Sequence, residues 1–306
     1  MATVNTAWDK VSQNVFKTWL IMFLFALFAV GVIYVIARAW FGPSLDSLSI
    51  VGIALIIAGI INFASYWWSD KIVLAVSRAK PVSLESNKEL YRVVENLCIA
   101  GGLPVPKIYT IDDSAPNAFA TGRDPKHAAI VFTTGILQKL NKQELEGVTA
   151  HELSHVGNRD TLLMSVVSVL VGTIALVTDW YLRSLWWGGR DRDSDNKSSG
   201  IFIILALVAA ILAPIISTLI QLAISRRREY LADASGVLLT RYPQGLESAL
   251  LKISGDKEPL EVANRGTAHL YIVNPLKGSD AKGFITGLFN THPPILVYLT
   301  FAGSQW

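Results

Sequence analysis

Long apolar runs alternate with mixed polar stretches along this chain. Residues 18–37 (TWLIMFLFALFAVGVIYVIA), 48–68 (LSIVGIALIIAGIINFASYWW), 161–178 (TLLMSVVSVLVGTIALVT) and 201–224 (IFIILALVAAILAPIISTLIQLAI) contain no charged side chain. A bilayer core takes about 20 such residues as a helix, so four transmembrane helices are expected, the fourth kinked at Pro214. The first run is too long for a cleavable signal, and a second span follows it closely. Two buried helices of a soluble core are the alternative for the last two runs; so long a stretch without charge argues against it.

Between these runs the periodicity changes. SNKELYRVVENLCIA (86–100) has Ser86 and Glu89 at capping-box spacing and stops at Gly101-Gly102, which predicts an amphipathic helix. VPKIYTI (105–111), NAFATG (117–122) and HAAIVFTT (127–134), separated by DDSAP and RDPK, read as strands and turns of a small antiparallel sheet. Asn141 and Glu144 form a second capping pair, opening a helix that runs through HELSHVGN toward the third span. Beyond the fourth span, RRREYLADASGVLLT continues as helix, and another amphipathic helix follows Pro243. The fold class expected is a mainly α membrane protein carrying an α+β domain. Residues 1–68 form a tail and two spans, 69–160 the first part of the soluble domain, 161–225 two further spans with an external loop at 183–200, and 226–306 the second part.

Composition supports this reading. The 306 residues are 51% hydrophobic and 17% charged, against roughly a quarter charged in soluble domains. Disorder is excluded by the apolar content, and a disulfide scaffold by the single cysteine, Cys98. With 27 basic and 24 acidic residues, the charge is too even to imply a nucleic-acid partner. The position of the charges says more. Lys10, Lys17, Lys71, Arg78, Lys80, Lys139, Lys142, Arg159 and Arg226 to Arg228 flank the spans on one side, while the other has Arg38 and a loop of mixed sign. Both termini and the soluble segments are therefore expected in the cytoplasm of a multi-pass cell-membrane protein, with Trp67, Trp68, Trp186 and Trp187 at the interfaces.

HELSH at 151–155 carries the candidate chemistry. On a helix, His151 and His155 lie one turn apart on one face, where both imidazoles reach a single zinc ion. Glu152 then stands beside the metal's water and can take its proton as the water attacks a polarised peptide carbonyl. A catalytic zinc needs a third protein ligand and an open position. Glu229 is the best candidate, with Asp233 one turn on to accept a ligand histidine's N–H; a surface ion pair of Glu229 with a nearby arginine is the alternative. The motif lies just before the third span and Glu229 just after the fourth, so two antiparallel spans would bring them together. His127 and His269 read as surface or hydrogen-bonded histidines. His292, in THPP, could approach as a donor to the developing oxyanion.

NAFATG at 117, HELSHVGNRD at 151, SRRREYLADASG at 225 and THPP at 291 together resemble the HtpX family, membrane-embedded zinc metalloproteases of the gluzincin type related to the CAAX prenyl proteases. The resemblance covers nearly the whole chain. It implies one zinc per chain bound by His151, His155 and Glu229, catalysis by Glu152, and orientation of the first histidine by Asp233. It also implies that Asn117, Ala118, Phe119, Ala120 and Thr121 form an edge strand along which an extended substrate pairs. The partners implied are protein or peptide substrates, chiefly misfolded membrane proteins, and the bilayer. One departure is visible: the family follows THPP with a charged segment carrying an arginine, where this chain reads ILVYLTFAGSQW. Two other readings compete. An intramembrane protease would bury the charges that flank HELSH. A transporter or scaffold with a structural zinc would need a fourth ligand.

Overall fold

The computed structural model describes residues 7–41, 46–187, 226–264 and 266–275. Helix α1 (Ala7–Phe41) and helix α2 (Ser47–Trp67) contain apolar stretches, Ser12–Tyr34 and Leu48–Trp67, long enough to cross a membrane. Asp46 caps α2 by accepting from the amides of Leu48 and Ser49 at 2.9 and 3.0 Å. The outer faces of these helices expose Phe23, Leu27, Ile56 and Ile60, as lipid-facing helices do. At one end an aromatic group gathers. Trp19 stacks on Tyr66, and Arg123 lies over the Trp67 ring.

Short helix α3 (Ser69–Val76) leads to strand β1 (Lys80–Pro81) and helix α4 (Lys88–Gly101). The cap of α4 is Asn87, one residue later than expected. Ser86 is instead engaged with Ser83 in the preceding turn. The helix ends at Gly102, whose φ of 63° is cheap only for glycine.

Strands β2 (Lys107–Ile111), β3 (Ala118–Gly122) and β4 (Ala128–Thr133) complete a sheet of order β1-β2-β4-β3. The strands fall near the expected positions, but the antiparallel expectation fails. β4 runs parallel to β2 and antiparallel to β3, so the sheet is mixed. β4 takes the central place, between β2 and β3, and β3, although equally buried, lies at the edge. The 112–117 loop carries the chain past that place, held by Asp113, whose carboxylate accepts from the amides of Ala115 and Glu261.

After β4 come helix α5 (Thr134–Lys139) and helix α6 (Lys142–Gly157), which begins with the expected Asn141/Glu144 capping box. Helix α7 (Asp160–Trp187) follows an 85° bend, with Arg159 at a left-handed φ of 57°. Its first residues pack against α1 through Ile21, Met22, Phe25, Leu163, Val167 and Leu170. Among the described residues, two helices are long and apolar enough to cross a membrane, or three if α6 and α7 count as one broken span. The expected fourth span, Pro214, the 183–200 loop beyond Trp187, and His292 lie outside the described residues. Helix α8 (Arg226–Thr240) and helix α9 (Pro243–Gly255) then pack on α6. Gly147 makes the second of these contacts possible, since a Cβ there would stand 2.5 Å from the Leu246 nitrogen.

Candidate metal centre

Two faces of α6 serve different purposes. Val148, Leu153 and Ala150 join the core formed with α4, the sheet and α9. His151, Glu152 and His155 point the other way, yet are 1%, 3% and 4% exposed, because β3, α7 and α8 close over them.

The imidazole Nε2 atoms of His151 and His155 face one another at 3.1 Å. Glu229, on the first turn of α8, brings Oε2 to 3.6 Å from His151 Nε2 and 3.8 Å from His155 Nε2. Among the described residues these three form the buried group able to hold a metal ion, with ligand atoms within 4.8 Å of one another. Gly236 lets α8 approach this closely, since a Cβ there would lie 3.1 Å from the His151 nitrogen.

The donor set suits a cation. His151 Nδ1 stands 2.8 Å from Asp233 Oδ1, and His155 Nδ1 stands 3.1 Å from Asp160 Oδ2. Each carboxylate takes its histidine's Nδ1–H, which leaves both Nε2 atoms as lone pairs aimed at the same place. Four-coordinate zinc with bonds of about 2.0–2.1 Å holds its ligands about 3.3 Å apart, close to the separations seen. The charge agrees: Glu152, Glu229, Asp233 and Asp160 converge here in buried positions. Burial opposes protonation of His155, yet Glu229, Asp160 and Glu152 outweigh it and lift the imidazole to about 9, so the site draws a positive charge that a metal ion would supply in place of the Nε2 proton.

Glu152 meets the edge strand. Burial pushes its carboxyl up from the usual range, against the Ala120 N–H and the two imidazoles beside it, which favour the charged form. β3 is an edge strand, as its place in the sheet requires, and its outer side is partly covered. Ala118 O accepts from Ile272 N at 3.0 Å, Asn117 exchanges hydrogen bonds with Val273, and Gly122 N donates to Ser165 Oγ at 3.2 Å. Phe119 faces inward against Tyr271, and Thr121 Oγ1 pairs with Ser165 Oγ at 2.7 Å.

The remaining histidines fall elsewhere. His127 is exposed and pairs with Asp124. His269 is buried against Met164 O, and burial pushes it down to about 4. Sequence reasoning missed Asp160, five residues past His155, because the bend that turns it back toward the imidazole is not legible locally. Arg228 and Asn14, which approach Asp160, were missed as well.

A helix bearing two histidines and a glutamate, a glutamate on a second helix, and an edge strand laid along the first define a metallopeptidase-type centre. Residues 84–298 match peptidase family M48. The Protease HtpX homolog of Caldanaerobacter subterraneus subsp. tengcongensis is 44% identical over 298 residues, covering 96% of both chains. That of Pyrococcus furiosus is 48% identical over 244 residues, covering 79% of this chain and 82% of its own. The crystal structure of S. mikatae Ste24p is a distant neighbour, with TM-score 0.47 and 22% identity, covering 93% of this chain and 65% of that one. The chain belongs to peptidase family M48 and, within it, to the HtpX proteases: it is a membrane metalloprotease.

Proposed function

We propose that this protease holds one zinc ion through His151, His155 and Glu229 and hydrolyses misfolded or damaged membrane proteins at the cytoplasmic face of the cell membrane. The observation that carries the metal assignment is the convergence of two buried Nε2 lone pairs and a carboxylate oxygen. Zinc bound there would acidify a water molecule and polarise the scissile carbonyl.

The chain's own residues do the rest. Glu152 takes a proton from the attacking water and returns it to the leaving amine, a role favoured by burial that raises its affinity for protons. Asp233 fixes the tautomer of His151. An extended substrate would pair along the outer side of β3, where Asn117 to Thr121 lie, in place of the contacts that Ile272 and Val273 now make there, so that main-chain contacts supply much of the binding and sequence tolerance is broad. His292 serves as an oxyanion donor in this reading.

The position of the site near the base of α7 and the start of α1 supports substrates being met close to the bilayer surface. The Lys/Arg bias flanking the spans puts that side, both termini and the two parts of the protease domain (69–160 and 226–306) in the cytoplasm, with four spans in all. A reporter fused at residue 306 should read as inside; an outside reading reverses the orientation.

The deciding experiment is cleavage of an unfolded protein by the detergent-purified chain after zinc addition, beside Glu152→Ala prepared with chelator. Cutting by the wild type and zinc binding without cutting by the variant is the expected pair. Equal cutting by both removes Glu152 from the mechanism.

A further inference from the structure

The two histidines are oriented from opposite sides of the site. His151 leans on Asp233, which shares α8 with Glu229. His155 leans on Asp160, the first residue of α7, and Asp160 is only 1% exposed. A carboxylate so buried needs partners for its second oxygen. Asp160 Oδ1 accepts from Asn14 Nδ2 at 2.6 Å, while Arg228 Nε stands 3.9 Å away, beyond hydrogen-bond range. Asn14 Nδ2 also reaches the carbonyl of Asn158 at 3.2 Å, in the bend between α6 and α7.

Asn14 belongs to α1, and its side chain is buried at the start of the first apolar stretch. One amide thus grips both the carboxylate that holds His155 and the backbone of the turn that positions this carboxylate. The bend carries a left-handed Arg159, a conformation costing about 1–2 kcal/mol that outside contacts must offset.

We infer that Asp160 is the positioning residue for His155, and that Asn14 of the first membrane helix holds Asp160 in place, so that α1 takes part in the grip on the metal. This rests on the zinc reading above. A histidine whose Nδ1–H is tied to a carboxylate presents Nε2 in one tautomer and one ring orientation; loss of that tie lets the ring rotate and protonate elsewhere. Displacement of α1 against α7 therefore loosens one ligand and leaves the His151–Asp233 side intact.

The test uses the full-length chain in detergent, loaded with zinc, and follows release to a chromogenic chelator; cobalt(II) loading adds a ligand-field spectrum that reports geometry at the metal. Asp160→Asn, nearly isosteric, should weaken zinc retention about 10- to 100-fold and shift the cobalt spectrum. Asn14→Ala should act in the same direction, by about threefold or more, and add little in the Asp160→Asn background, as expected for residues in one chain of contacts. Ser65→Ala, buried on α2 with its hydroxyl donating to Ile61 O, should change neither readout.

Unchanged release and spectrum in Asp160→Asn overturn the inference. An effect of Asp160→Asn with none of Asn14→Ala overturns the part assigned to α1. If Asn14→Ala fails to fold, Asn14→Ser, which keeps a shorter polar group, takes its place under the same criteria. Failure of the zinc reading looks different: His155→Ala would then retain the metal as tightly as wild type.

Discussion

The backbone N–H of Ala120 faces the carboxylate of Glu152, where the edge strand β3 packs on the active-site helix α6. On the reading proposed above, β3 aligns substrate and Glu152 moves protons, so pairing at Ala120 and release of Glu152 toward water would be coupled.

Replacement of Ala120 by proline tests that coupling. Proline is tolerated on an edge strand where the N–H faces away from the ladder, and here that N–H faces Glu152. Removal of an N–H that favours the charged carboxylate should lower kcat/KM for an unfolded protein by roughly tenfold. Zinc content by mass spectrometry should be unchanged; loss of metal in parallel would show that the strand supports the site as a whole.

Asp233→Ala removes the acceptor of the His151 Nδ1–H at 2.8 Å. Zinc affinity measured by competition with a chelator should drop about 10- to 100-fold. Wild-type affinity in this variant would exclude Asp233 from holding His151.

Glu144 makes a pH-dependent contribution to stability. Burial works against its charge, but hydrogen bonds from Lys252 Nζ, the Ser248 hydroxyl and the Asn141 N–H outweigh it and hold the carboxyl below its usual range. A carboxyl depressed in the folded state stabilises above its unfolded pKa of about 4.3 and loses that contribution as pH falls through the lowered value. Thermal midpoints of wild type should therefore fall between pH 5 and 3 more steeply than those of Glu144→Gln, both by about the same amount only if the pair is idle.

Gly147→Ala sets two effects against each other. Alanine in a helix interior gains about 1 kcal/mol over glycine, whereas overpacking costs about 1–3 kcal/mol. The added Cβ would lie 2.5 Å from a backbone nitrogen of α9, which has little room to yield, so the clash wins. Thermal unfolding should show a lower midpoint, and a raised midpoint would mean that α9 does not sit this closely on α6.

Much of the centre was legible from spacing alone. HELSH on a helix puts His151 and His155 on one face whatever the fold, because 3.6 residues complete a turn. The capping pair Asn141/Glu144 was legible for the same reason: its hydrogen bonds close within three residues. The cap of α4 was misplaced by one residue, since Ser86 and Asn87 are both good caps and the turn at Ser83 chose between them. The sheet was misread more deeply. Three strands in succession suggest a meander, whereas the 112–117 loop, held by Asp113, carries the chain past the central place that β4 then takes between β2 and β3.

By itself, the sequence determined the apolar helices α1 and α2, the HELSH motif on one helix and the separate glutamate with its partner aspartate, because each depends on periodicity within one segment. Tertiary structure decided what those groups touch. The 85° bend at Arg159 turns Asp160 back onto His155, α1 delivers Asn14 to Asp160 across 146 residues of chain, and β3 presents the Ala120 N–H to Glu152. These contacts join residues remote in sequence, and such contacts depend on how whole elements pack, which no local pattern encodes.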